Sequence, residues 1–184
     1  MHPHLRRCRD GLQSAIGGLT PAEAEFSIDG KWSIAAIMEH LDLTYTSNIQ
    51  GLEHRLQKGT PARRNRTLRQ NVTRVIVTRF GYFPTGRSSP AGVLPQGRRF
   101  VELSIVIEPH LLLLDQRLKD VARAFGTRTP VLNHPLLGPF SVADWRRFHW
   151  VHTRHHLRQI QSKAEGGRKK PENGEKPLPN RHDD

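Results

Sequence analysis

The apolar positions of this chain recur mostly at intervals of three and four residues, the spacing of amphipathic helices. The longest such pattern begins after Ser33 and runs to Lys58, where Gly59 and Pro61 end it. A shorter pattern covers residues 3–17 and is closed by a pair of glycines. Both segments are therefore predicted to be helices with one buried face. The long pattern consists of Ile34, Ile37, Met38, Leu41, Tyr45, Ile49, Leu52 and Leu56.

The middle of the chain is less regular. Residues 66–81 carry apolar side chains at helical spacing, but they include a β-branched run, which leaves a strand open as the alternative. Residues 82–98 are rich in proline, glycine and serine and are predicted to be a loop. Residues 100–107 alternate partly and are predicted to be extended. Pro109 suits the first turn of a further helix, which is expected to run to Phe125.

The last helix has a recognisable start. A turn-rich link from Asn133 to Pro139 leads to Ser141, and Asp144 three residues later completes a pattern that resembles a capping box. This helix is predicted to end at about Ser162. The expected fold class is all-α, an antiparallel helical bundle with one long irregular excursion in its middle.

The composition predicts one domain and a tail. Residues 1–162 are expected to form the helical bundle, whereas residues 163–184 are too polar to offset their ordering entropy and are predicted to be a disordered tail. No apolar run is long enough to cross a membrane, and the first residues lack the apolar stretch of a secretory signal. The single cysteine, Cys8, excludes an internal disulfide and a cysteine-based zinc site. A cytoplasmic setting is predicted.

The charge is concentrated in one part of the chain. The net charge is +12, and the basic segment 54–101 contains eleven lysines and arginines and no acidic residue. Such a segment attracts nucleic acid or an acidic small molecule, so a non-enzymatic nucleic-acid-binding module is one alternative function. The simpler interpretation is a solvated basic face. No known nucleic-acid-binding motif accompanies the charge, and few aromatic residues are available for stacking.

The histidines suggest a different chemistry. His152 and His156 are four residues apart in the predicted last helix, a spacing at which two imidazoles bind one metal ion. His149 and Gln159 lie on nearly the same face. An HxxxH pair is frequent by chance, and no glutamate lies between these two histidines. A catalytic metal site of the three-histidine type also needs a third ligand. His40 is the candidate, since small residues mark its face of the second long helix; a core histidine bonded to a carbonyl is the alternative.

Three segments of the chain form a recognisable set: Trp32-Ser33 with Glu39-His40-Leu41, then His134-Pro135-Leu136-Leu137-Gly138-Pro139, then Trp145 and His152-Thr153-Arg154-His155-His156 with Gln159. Together they resemble the DinB-like family, also called YfiT-like, of metal-dependent hydrolases. The resemblance covers roughly residues 3–163.

The resemblance implies a four-helix bundle whose helices converge on one divalent metal, with His40, His152 and His156 as ligands. Members of the wider family include thiol-dependent S-transferases and isomerases that use low-molecular-weight thiols. The expected activity is metal-dependent hydrolysis or thiol S-transfer on a small molecule, anionic or thiol-bearing. Three imidazoles suit zinc, nickel or iron, and the position they leave open accepts a water or a thiol.

Further roles follow from the predicted helix. Gln159 is expected to orient His156, one turn earlier on the same face. His149 is the candidate catalytic base, and a neutral polar residue at the cavity rim is the equal alternative. In a third interpretation the metal is absent or structural and the bundle serves as an interaction or homodimer scaffold, with Trp150 packed in the core or against a second subunit.

Overall fold

The computed structural model describes residues 1–27, 30–62, 90–135 and 137–168 of the chain. This part of the chain is mainly helical. The helices are α1 (Pro3–Ile16), α2 (Pro21–Glu25), α3 (Ile34–Lys58), α4 (Phe100–Phe125) and α5 (Val142–Arg168). Two strands, β1 (Pro130–His134) and β2 (Gly138–Ser141), form an antiparallel hairpin between α4 and α5. One turn of 3-10 helix covers Ala91–Val93.

The predicted helix boundaries of α3 are confirmed, and their causes are local. The Ser33 hydroxyl accepts a hydrogen bond from the Ala36 amide and so caps the first turn. At the other end Gly59 adopts a left-handed conformation with φ of 63°, which a residue with a Cβ adopts only at a cost. The predicted capping box at the start of α5 is also present, since Ser141 and Asp144 exchange side-chain to backbone hydrogen bonds.

The extended segment predicted over residues 100–107 is wrong. Helix α4 already begins at Phe100, and Pro109 lies inside the helix instead of in its first turn. Phe100, Leu103 and Ile107 are buried at helical spacing, whereas Ile105 is exposed. The exposed apolar residues created the apparent alternation. Packing of the buried face offsets the backbone hydrogen bond that proline cannot make.

Three other sequence predictions have outcomes here. The predicted turn-rich link is a hairpin, in which His134 pairs with Gly138. Helix α5 continues past the predicted end at Ser162 to Arg168. The predictions for residues 66–81, for most of the loop 82–98 and for most of the polar tail fall outside the described residues.

The closest helix packing occurs in two pairs, α3 with α4 and α1 with α5. Helices α3 and α4 run in the same direction. Asp42 contacts His110 in the first half of each helix, and Glu53 contacts Arg117 closer to the C-terminal end of each. A parallel pair requires a long connection between its members, and residues 59–99 provide it.

Helices α1 and α5 also run parallel and approach each other closely. The Arg7 guanidinium lies over the Trp150 ring, and one turn later a Cβ on Gly11 would lie 2.6 Å from a methyl group of Leu157. Trp150 is half-buried and packs against the core. A Cβ at residue 11 would therefore require the Leu157 side chain to shift.

The two parallel pairs are antiparallel to each other. On α3 the ring of His40 lies against His156 of α5, and five residues later Tyr45 lies against His149. The predicted antiparallel arrangement therefore holds between the pairs and is wrong within them. The buried core lies between these four long helices and the hairpin. None of the described helices combines the length and the apolar character that a bilayer span requires.

Candidate metal centre

Helices α3 and α5 bring three histidines together in the protein interior. His40, His152 and His156 are all buried, and one nitrogen of each lies within 4.8 Å of the other two. The Nε2 atom of His152 lies 3.2 Å from Nε2 of His40 and 3.1 Å from Nε2 of His156. The group is the one that the sequence singled out. His152 and His156 share a face of α5 by helical periodicity, and the antiparallel packing of α3 adds His40.

The His40 ring is held by a backbone carbonyl. Its Nδ1 lies 2.7 Å from the Val93 oxygen, at the end of the 3-10 turn. A carbonyl only accepts, so Nδ1 carries the proton and donates it. The lone pair is therefore on Nε2, which points at the other two histidines. Sequence analysis did not identify Val93, because a backbone contact across the long excursion leaves no signal in residue types.

The His156 ring is held by Gln159. Its Nδ1 lies 2.8 Å from Oε1 of Gln159, which again puts the proton on Nδ1 and the lone pair on Nε2. The Gln159 amide nitrogen in turn donates to Nε2 of His155 at 3.2 Å, which fixes the orientation of the amide. The His155 ring is half-buried and packs against that of His156.

The resulting proton arrangement fits a metal ion. Two lone pairs, on His40 and His156, point at one nitrogen of His152, and a single proton on that nitrogen satisfies only one of them. A cation bound between the three Nε2 atoms satisfies all three, and imidazole nitrogen is a preferred ligand of divalent transition metals. These three residues could therefore hold a metal ion.

Burial keeps the three rings in the form that binds metal. Desolvation lowers the pKa of His40 and lowers that of His156 to about 3. Desolvation, with added repulsion from the neighbouring histidines, also lowers the pKa of His152 well below its usual value. All three are neutral at pH 7, which metal binding requires. The Trp32 ring lies 5.1 Å from His40, and Phe148 stacks on His152 at 5.3 Å, so apolar side chains cover the group on two sides.

His149, the predicted base, is fully buried among aromatic rings and does not lie at a rim. Tyr45, Trp145 and Phe148 lie 5.5, 5.7 and 5.6 Å from it, and neither ring nitrogen has a hydrogen-bond partner among the residues that the structure describes. Desolvation lowers its pKa to about 3. It is therefore neutral at pH 7, and its catalytic role stays a prediction.

Three of the four described lysines and arginines of the basic segment 54–101 make contacts within the protein. Arg55 donates to the Val131 carbonyl at 2.8 Å. Arg98 forms an ion pair with Asp42, and Arg99 forms one with Glu25. The arginines between residues 63 and 89 lie outside the described residues, so the nucleic-acid alternative stays a prediction.

The fold and the site together define a mainly helical protein with a buried three-histidine group suited to a metal ion. Comparison with known families places the chain more specifically. It belongs to a family described as a protein of unknown function, DUF1569, whose family model matches residues 15–163 and thus spans all three histidines. Neither the curated proteins nor the solved structures contain a match to the chain.

Proposed function

We propose that this chain is a DinB-like metal-dependent protein that binds a divalent transition metal through His40, His152 and His156. The convergence of three buried Nε2 atoms carries the proposal. As its activity we propose hydrolysis or thiol S-transfer on a small substrate. The packing of α1, α3, α4 and α5 in two parallel pairs supports the four-helix bundle that the resemblance implies.

The ligand set indicates which metals to test. Three nitrogen ligands favour zinc, nickel or iron(II) over magnesium and calcium, which prefer oxygen. Bound by three protein ligands, such an ion would act as a Lewis acid and keep one coordination position open. A water or a thiol bound at that position would have a lowered pKa. The chain itself holds the ligand rings through Val93 and Gln159, and the rings of Trp32 and Phe148 cover the centre on two sides.

If the activity is thiol transfer, the thiol must come from a second substrate. Cys8 is the chain's one cysteine, it is fully buried, and burial raises its pKa to about 12. It is therefore a thiol and not a thiolate at neutral pH, and the thiolate is the reactive form. A low-molecular-weight thiol is the cosubstrate that we propose to screen.

Elemental analysis tests the metal site directly. We expect about one equivalent of zinc, nickel or iron in the purified protein and none in the His152→Ala/His156→Ala variant, with the helical circular dichroism signal retained. The matched control is His54→Ala, which removes an exposed histidine of α3 and keeps the metal. Full metal content in the double variant would contradict the proposal, as would an unmodified protein that takes up none of the three ions.

A further inference from the structure

Residues 90–99, the last part of the connection between α3 and α4, lie against α3 beside the metal centre. We call these residues the docking segment. Its 3-10 turn is closed by hydrogen bonds from the Val93 amide to the Pro90 carbonyl and from the Leu94 amide to the Ala91 carbonyl. The Val93 carbonyl is left pointing at His40 Nδ1, 2.7 Å away. The orientation of one proposed ligand therefore depends on where this segment lies.

A buried carboxylate of α3 binds the far end of the docking segment. Glu39 is 0% exposed, and its Oε2 accepts hydrogen bonds from the backbone amides of Gly97 at 2.9 Å and Arg98 at 3.1 Å. Burying a carboxylate costs free energy unless donors compensate for the lost water. The two amides are these donors, and they are available only when the segment is docked.

A second buried carboxylate binds the side chain of the same residue. Asp42 is 1% exposed and accepts from Arg98 through Oδ2 at 2.8 Å and from His110 of α4 through Oδ1 at 2.7 Å. Arg98 also pairs with Glu102 of α4. The docking segment is thus tied to α3 and α4 at once. Glu39 and Asp42 flank His40 in sequence. They bind the docking segment, and the Val93 carbonyl of that segment binds His40.

We infer that Glu39 and Asp42 are positioning residues of the metal centre, which dock residues 90–99 so that the Val93 carbonyl orients His40. The inference rests on the proposed metal binding. Because coupling between two binding events is reciprocal, a metal held by His40 also stabilises the docked segment. The effect of segment docking on metal affinity and the effect of metal binding on segment docking then measure the same coupling free energy.

Zinc affinity in variants of Glu39 tests the inference. We expect Glu39→Ala to weaken zinc binding about 10-fold, the lower end of what loss of a residue that supports a ligand costs. Glu39→Gln keeps an oxygen that accepts from both amides, so we expect affinity within about 3-fold of the unmodified protein. The control is Glu53→Ala, which removes another carboxylate of α3, one that pairs with Arg117 of α4 further along the helix from the histidines. Competition with a chromophoric chelator gives the affinities.

The outcomes separate this inference from the proposed function. If the unmodified protein binds no zinc, the proposed function fails. If it binds zinc and Glu39→Ala binds equally well, or no more weakly than Glu53→Ala, the positioning role is overturned. Weakening in Glu39→Ala beyond that in Glu53→Ala, with recovery in Glu39→Gln, supports it.

Amide hydrogen exchange tests the same coupling without any substitution. In the unmodified protein, we expect saturating zinc to slow exchange at Gly97 and Arg98 about 10-fold, within the usual range for coupled sites. The Gly126 amide, which caps the far end of α4, serves as the internal control for local fraying. Unchanged exchange at Gly97 and Arg98 in protein that binds zinc overturns the inference, even if Glu39→Ala fails to fold.

Discussion

At the scale of single residues, the centre depends on how each imidazole is held. A histidine binds metal well when a partner fixes one ring nitrogen so that the other nitrogen points at the metal, and loss of such a partner typically lowers affinity by about 10–100-fold. His156 has Gln159 in this role, one turn away on the same helix. His40 has the Val93 carbonyl, 53 residues away along the chain. The first partner is readable from helical periodicity, and the second is not.

Substitution of Gln159 is the first test at this scale. Gln159→Ala leaves the His156 Nδ1 proton without its acceptor and frees the ring to rotate, so we expect zinc affinity to fall about 10-fold. The measurement is zinc titration against a chelator of known affinity. Gln161→Ala is the matched control, because it removes the same exposed side chain two residues further along α5. Equal affinities in the two variants would contradict the role of Gln159.

At the scale of elements, the relative position of α3 and α5 sets the distance between the ligands. Besides the histidines, these helices are joined by a buried hydrogen bond of 2.6 Å between the Tyr45 and Thr153 hydroxyls. Thr153 is adjacent to His152, and Tyr45 lies about one turn beyond His40. This bond therefore fixes the register of the two helices next to the centre.

Tyr45→Phe tests this bond. The substitution keeps the ring and leaves the Thr153 hydroxyl without its buried partner, so we expect a loss of about 1–2 kcal/mol in the free energy of unfolding. Urea denaturation followed by circular dichroism measures it. In the double variant Tyr45→Phe/Thr153→Val the loss should be less than the sum of the single losses. Strict additivity would show that the two hydroxyls do not interact.

The start of α5 offers a second test of element structure. Ser141→Ala removes the hydroxyl that accepts from the Asp144 amide, and we expect a loss of about 1 kcal/mol in unfolding free energy. Ser162→Ala, within the same helix and exposed, is the control and should cost nothing, since alanine favours helix. If both serine variants unfold at the same urea concentration, the cap contributes nothing to stability.

At the scale of the whole molecule, the fold buries histidines that must stay neutral. Burial lowers the pKa of His134 to about 4 and that of His149 to about 3. In the unfolded chain these histidines take up protons once the pH falls below the ordinary histidine pKa of about 6.5. In the folded chain they stay neutral until the pH reaches their lowered pKa values. The free energy of unfolding therefore rises with pH across this interval and falls as the solution is acidified.

This gives a prediction for metal-free protein. Between pH 6.5 and pH 4 we expect each of these histidines to reduce stability by an amount on the order of 3 kcal/mol, since one pKa unit corresponds to about 1.4 kcal/mol. Urea unfolding at pH 7 and pH 4.5, with a chelator present, measures the difference. His134→Gln should lose clearly less stability on acidification. An identical loss in both proteins would show that His134 does not contribute.

Local interactions explain what the sequence by itself determined. The helices α1 and α3, the caps at Ser33, Gly59 and Ser141, and the placement of His152, His156 and Gln159 on one face all follow from spacing within one or two turns. Such relations depend only on helical geometry and on the backbone groups at helix ends.

Contacts between distant residues decided the rest. Only the tertiary structure shows that α4 starts at Phe100, because packing against α3 overrides a local pattern that alternates and contains a proline. Only it shows that the closest helix pairs are parallel, and that the docking segment places a carbonyl on His40. Each of these features depends on how segments far apart in the sequence pack together. Burial of the whole core determines that packing, and the local spacing of residues does not.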